Sequence, residues 1–362
     1  MNEPNQSHKR DEQLDLYRGI VMLYIVCFIH VIYWLGIGQE PLRSLALIEM
    51  PAVFFISGAA LSVTHNRRRL AATLWSRAKR VVFPFYIYAA VSLIVLSLLV
   101  GLRSVLSDLS SLSDSIASTP LGRMTWHDLF TLLSCKGIPH APYASHLWFI
   151  IPYLVLTCTF GLQQKAREYL SRGGYFSLCL IAFCLSAWAG RFTTITAYNL
   201  FFVAGWLFYR QLSWRTIYVL TLLCALVTSG ILLGGATFCP MQAHKFPPDF
   251  VFVAYGFFSL CLCSIVFGHC RLPSNSLLKR WNQAGYTIYL YQNLVYAVWS
   301  MCFYHWEMFY SHRWIGGFAS ALAVFVGSTL LSYFTIPIER WCMQQINSLH
   351  DHFTSIGVRQ RD

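Results

Sequence analysis

The sequence predicts an all-α integral membrane protein, a bundle of about ten transmembrane helices oriented N-in/C-in. Three observations predict it. The 362 residues are 56% hydrophobic and 12% charged, with mean hydropathy +0.50, whereas soluble domains carry about 25% charged residues. The apolar residues gather into ten runs, at 17–37, 43–64, 82–101, 147–163, 174–190, 194–209, 216–235, 249–268, 284–304 and 314–336. Each is near the length a helix needs to cross hydrocarbon, about 20 residues. Finally, the basic residues alternate between the intervening segments. With the N-terminus in the cytoplasm, 20 of the 27 Lys and Arg fall inside and 7 outside, the bias expected of cytoplasmic loops.

The runs are read as helices because lipid offers no water to satisfy a backbone N–H or C=O. A polar start, "MNEPNQSHKRDEQLD", precedes a first run too long for a signal-peptide core, so that run is expected to stay as a span. The second run carries Glu49 directly before Met50-Pro51. A basic segment with Arg67, Arg68, Arg69, Arg77, Lys79 and Arg80 leads into the third. The long outside segment 102–146 opens Ser-rich and ends "CKGIPHAPYASHLWF". A loop of that length serves either as a lid or as a solvated connector. His146 and Trp148 begin the fourth run, and a few residues around Arg191 part the short fifth and sixth. Gln292 lies in the ninth run. Glu339 and Arg340 close the tenth, where they read as a structural ion pair. One transmembrane domain, 1–341, and a short polar cytoplasmic tail, 342–362, account for the chain. No internal repeat supports an inverted-repeat transporter.

The net charge of +12 belongs to topology rather than to nucleic acid, because no basic stretch interleaves with aromatics on a polar face. No metal site is expected from the 12 cysteines. Cys27, Cys158, Cys179, Cys184, Cys224, Cys261 and Cys263 lie in apolar runs, where a thiol behaves as a small hydrophobe, and the Cys261/Cys263 spacing is not that of a zinc site. Cys135 and Cys239 fall in outside loops, where a disulfide and two free thiols both remain open. There is no H-E-x-x-H, P-loop or G-x-S-x-G, so nothing points to a covalent serine nucleophile.

The first run, "YRGIVMLYIVCFIHVIYWL", holds His30 well inside it. An ionisable side chain in a span is costly and is a functional candidate by default. Imidazole titrates near neutrality and suits a general base. The other reading is that its nitrogens bond a neighbouring helix.

The stretch "LDLYRGIVMLYIVCFIH" resembles the opening of the membrane acyltransferase-3 family, D-x-x-R-G followed by an apolar run and His. Further pieces resemble the same family in order: "MPAVFFISG", "RAKRVVFPFY", "HLWFIIPYL", "YTIYLYQN" and "YFTIPIERW". Together the six extend from Leu14 to Trp341. The resemblance implies transfer of an acyl group, acetyl by expectation, from acyl-CoA as co-substrate to a hydroxyl. The acceptor would be a cell-envelope carbohydrate or lipid-linked glycan, and the enzyme would sit in the inner membrane. His30 would be the general base and Arg18 would bind anionic donor groups. Arg77 and Arg80 abut the third run and suit CoA phosphates. Glu49 would orient His30 or anchor a helix contact near the outer face. His146, Trp148 and Gln292 would lie on the acceptor side, with Trp148 as an interfacial anchor the alternative. Ser57 and Gly58 read as helix packing.

Two departures from the family pattern matter. Eleven residues separate Arg18 from His30, one more than the family's usual spacing. At about 100° per residue the extra one turns His30 some 120° off the face of Arg18. Either Arg18 lies on an unwound end, or a π-bulge absorbs the residue, or the two do not share a site. The second departure is Gln292, where the family often has His; glutamine bonds but does not titrate. Rival readings are an exporter of surface polysaccharide without acyl transfer, and a sensor or scaffold without turnover.

Overall fold

The computed structural model describes residues 11–64, 70–103, 125–138, 143–235, 240–268 and 275–359. It is 85% helix and, among those residues, holds no strand. Seven helices among them are long and apolar enough to cross a membrane: Glu12–Trp34, Leu42–Val63, His146–Glu168, Arg172–Ala189, Trp214–Leu233, Phe250–Gly268 and Arg313–Ser348. Seven of the ten expected runs lie on these. The other three are also helical. The run 82–101 lies within the 34-residue helix Leu70–Arg103, 194–209 on the 16-residue Thr193–Phe208, and 284–304 on Gly285–His305. The chain is an all-helical, multi-pass membrane protein. Arg67–Arg69, the Ser-rich stretch and Cys239 lie outside the described residues.

The chain divides into two compact units. The first comprises Met1–Leu74 and Pro152–Gln283, the second Trp75–Ile151 and Ala284–Asp362.

The first unit opens with α1 (Glu12–Tyr24), a π-helical turn (Ile25–Ile29) and α2 (His30–Trp34). Asp11 caps α1 through the Leu14 amide at 3.2 Å, and its carboxylate also takes the Tyr209 hydroxyl and the Arg210 guanidinium, each at 3.0 Å. Short α3 (Leu42–Leu45) leads to α4 (Glu49–Thr64), whose first turn accommodates Pro51 because an N–H there has no intrahelical partner to lose. In the second unit α5 (Leu70–Arg103) is followed by α6 (Trp126–Leu133). A 3₁₀ turn (Ala144–Phe149) then enters α7 (Ile150–Glu168), which from Pro152 onward belongs to the first unit.

Back in the first unit come α8 (Arg172–Ala189), α9 (Thr193–Phe208), α10 (Trp214–Leu233), the short α11 (Met241–Lys245), α12 (Phe250–Gly268) and α13 (Ser276–Gln283). Its centre is the crossing of α4 with α9. A Cβ on Gly58 would strike the Phe202 carbonyl, and one on Gly205 would strike that of Phe55. Two glycines thus let the backbones meet, the small-residue solution to helix packing in lipid. Phe54 stacks on Tyr198 beside the crossing at 4.7 Å, and Ser57 turns its hydroxyl back to the Val53 carbonyl, 2.7 Å away. α9 is buried on nearly every side, as a short, uniformly apolar helix should be. α10 keeps most of its side chains exposed, and most of the exposed ones are apolar, including Val219, Leu222, Leu223 and Leu226. Such a surface suits lipid.

The second unit is completed by α14 (Gly285–His305), α15 (Glu307–Ser311) and α16 (Arg313–Arg359). α5 begins well before the expected span, and Pro84 of "RAKRVVFPFY" lies inside it. α16 runs 47 residues without a break. That is about 70 Å of helix against about 30 Å of hydrocarbon, so the polar tail after Trp341 continues the last helix. The Tyr286 hydroxyl donates to the Val81 carbonyl at 2.9 Å, tying α14 to α5. The Trp299 indole donates to Ser320 at 2.8 Å, tying α14 to α16. Lys79 donates to Asn347 at 3.3 Å, joining the basic start of α5 to the polar part of α16.

Candidate functional site

The residues singled out in the sequence divide between the units. Arg18, His30 and Glu49 belong to the first; Arg77, Arg80, His146, Trp148 and Gln292 belong to the second.

His30 is the first residue of α2, directly after the π turn. Its amide donates to the Ile25 carbonyl, five residues back rather than four. A π turn takes in one more residue than an α turn. This is the extra residue counted between Arg18 and His30, and absorbing it returns His30 to about the helix face of Arg18. Of the three sequence alternatives, the structure contains the π-bulge. Nothing in "IVCFI" marks a break; there is no Gly or Pro. Only the count against the family spacing signalled it.

The His30 side chain is 7% exposed. Its imidazole lies flat on the Trp34 indole, with ring centroids 3.9 Å apart and planes 7° from parallel. Arg18 is half-buried and its guanidinium is 3.6 Å from Asp15. The D-x-x-R-G spacing accounts for that pair, since residues three apart share a helix face. Gly19 completes the motif by letting α1 approach α13, where a Cβ would meet the Leu278 carbonyl.

Glu49 is 2% exposed and pairs with Lys245 of α11, itself 5% exposed. Its second carboxylate oxygen has no hydrogen-bond partner among the described residues. The partner that the structure gives Glu49 is thus a lysine of the short α11, one of the seven basic residues expected outside. Hydroxyls of Tyr24, Tyr33 and Tyr255 donate to the carbonyls of Ala46, Arg43 and Leu45, at 2.7, 2.8 and 2.6 Å. These bonds fix the loop between α2 and α4 that leads to Glu49.

In the second unit His146 and Gln292 are brought together through Tyr289. The His146 ring meets the Tyr289 ring edge-on at 4.9 Å. The Tyr289 hydroxyl donates to the His146 carbonyl at 2.9 Å, and Gln292 Nε2 donates to the Tyr289 carbonyl at 2.8 Å. His146 Nδ1 lies 2.7 Å from the Tyr143 carbonyl, which only accepts, so Nδ1 carries the proton. His146 and Gln292 are buried; Trp148 is half-buried. The neighbouring Asn293, which ends "YTIYLYQN", is fully buried, with neither amide atom bonded among the described residues. Arg77 and Arg80 both lie on α5, and Arg80 is exposed.

Glu339 does not pair with Arg340. It is buried and accepts from the Thr287 hydroxyl at 2.6 Å, while Arg340 is exposed. Adjacent residues on a helix point apart, so the partner comes from the next helix. Cys135 is buried with a free thiol. Among the described residues no three His, Cys, Asp or Glu side chains are grouped to hold a metal ion.

The arrangement around His30 suits proton transfer. A buried imidazole with its plane fixed by a stack can accept a proton, and an arginine on about the same face some three turns earlier can meet a negatively charged group there. The family model described as Acyltransferase domain, that of acyltransferase family 3, matches residues 11–336. No curated protein and no solved structure matches the chain.

Proposed function

Because the chain belongs to acyltransferase family 3 and is therefore a membrane acyltransferase of groups other than amino-acyl groups, we propose that it O-acylates a cell-envelope glycan with His30 as general base. The donor is acyl-CoA, with acetyl the expected acyl group. The acceptor is a hydroxyl of a carbohydrate or lipid-linked glycan, and the enzyme sits in the inner membrane with ten spans and both termini in the cytoplasm.

The observation that carries this reading is the π turn ahead of His30. The chain departs from the family's Arg-to-His count by one residue, and the backbone departs from the α-helix by one residue in the same interval. His30 takes the acceptor's proton as its oxygen attacks the thioester carbonyl. The C–S bond then breaks, and the imidazolium returns the proton to the leaving CoA thiolate. A base so placed contributes about 10²–10⁴-fold. Arg18, about 18 Å before His30 along the helix axis at 1.5 Å per residue, offsets charge on the phosphates of the donor. Arg77 and Arg80, at the basic end of α5, meet the CoA phosphates. Glu49, paired with Lys245, anchors the start of α4, and the His146–Tyr289–Gln292 group faces the acceptor.

The test is alkali-releasable acetate from envelope glycans in source cells lacking the gene, complemented with wild type or His30→Gln at matched membrane levels. Wild type should restore acetate and His30→Gln should not. Equal restoration would remove His30 as the base. If wild type leaves acetate unchanged while surface polymer is lost in the deletion, the export reading replaces acetyl transfer.

A further inference from the structure

We propose that Trp34 is a positioning residue for acyl transfer, its indole face holding the His30 imidazole in place and stabilising the positive charge that ring gains on taking the acceptor's proton. This rests on His30 being the base.

His30 and Trp34 are four residues apart on α2, so their side chains share a face. The overlap is close and almost parallel, 3.9 Å between centroids and 7° between planes. Two neutral aromatic rings avoid that geometry, because their negative faces repel; they prefer offset or edge-on contacts at about 4.5–7 Å. A cation over a ring face is drawn to it instead, and indole is the strongest such face. Other aromatic pairs in the first unit follow the neutral preference. Phe160 meets Trp206 edge-on at 5.0 Å, and Tyr175 meets it edge-on at 6.1 Å. The His30–Trp34 pair is arranged for an imidazolium.

The state that needs the support is brief. A lone pair on a His30 nitrogen takes the proton from the acceptor O–H, and the freed oxygen bonds to the thioester carbon. The imidazolium persists until the C–S bond breaks and the proton passes to sulfur, giving CoA thiol and ester. Trp34 acts while that charge exists, so it favours the transition state over the ground state. Burial of His30, 7% exposed, removes water that would otherwise screen the interaction. A stack engages the faces of the imidazole and not its edge, where both nitrogens lie.

The experiment uses membrane vesicles carrying the full chain and the endogenous acceptor. Radiolabelled acetyl-CoA is titrated, and alkali-labile label in the glycan fraction is normalised to protein level. Trp34→Leu should lower the maximal rate about threefold to thirtyfold, with the KM for acetyl-CoA unchanged. Trp34→Phe should fall between Leu and wild type. Fluorinated tryptophans placed at position 34 alone keep the shape and drain electron density from the ring face. The rate should fall stepwise with fluorine number, and this series carries the test should the Leu variant fail to accumulate. A flat fluorine series, a wild-type rate in Trp34→Leu, or a loss confined to KM would overturn the proposal. His30→Gln is run in parallel. If it matches wild type, the base reading has failed and Trp34 falls with it. If it is inactive while the fluorine series is flat, only the role of Trp34 is lost.

Discussion

Two buried spans of the first unit carry family-like signatures and solve different problems. α4, with "MPAVFFISG", is a regular helix from end to end, and its Gly58 lies against the α9 backbone as Gly205 of α9 lies against the α4 backbone. The α1–α2 span, with "LDLYRGIVMLYIVCFIH", is broken by a π turn just before its one imidazole. α4 exposes no titratable group at the crossing and needs only close contact. The α1–α2 span bends the rule of regular hydrogen bonding where a polar side chain must be aimed. π turns occur mostly as single-turn bulges and often at functional sites. A buried signature is therefore read by what its backbone does: regular where it packs, irregular where it positions.

The comparison is broken most violently at the crossing. In Gly58→Val the added carbons meet the Phe202 carbonyl, a backbone atom that cannot swing aside. The expected cost is about 3 kcal/mol, at the upper end of overpacking changes. Protein in the membrane and its melting temperature should fall, while the label transferred per surviving molecule stays near wild type. A normal level with lost transfer would mean that α4 carries chemistry.

A smaller effect is expected at the other span. Arg18→Gln removes a half-buried charge held by Asp15. Transfer should fall about tenfold, some 1.4 kcal/mol of barrier, at unchanged protein level. An unchanged rate would separate Arg18 from donor binding.

Much of this was legible in the sequence because lipid permits so little. Apolar runs had to be helices, and all ten lie on helices. Gly58 could be assigned to packing from size alone. The ends of helices were less legible. Residues 70–81 and 337–359 are polar enough to leave a span yet keep helical propensity, so α5 and α16 run past their apolar stretches. Partners distant in sequence were not legible at all. Glu49 meets Lys245 across 196 positions, and Glu339 meets Thr287 across 52. Neither has a local signal, and the adjacent Arg340 was a misleading one. The stack of Trp34 on His30 is different; it is an i,i+4 pair that helical spacing could have revealed. Asn293 carries no pattern beyond lying next to Gln292.

The central claim is that the π turn exists to keep His30 in register with Arg18. Deleting Cys27, in the middle of that turn, tests it most directly. In a regular helix one deleted residue turns everything beyond it by about 100°. Deletion of Ile56 in α4 would do so, carrying Gly58 out of the crossing. In the π turn the deletion removes the extra residue and lets an ordinary α-helix put His30 back on the face of Arg18. The account predicts that the Cys27 deletion accumulates and transfers label within a few-fold of wild type, while the Ile56 deletion does not accumulate. A Cys27 deletion that accumulates normally yet is as inactive as His30→Gln would contradict it.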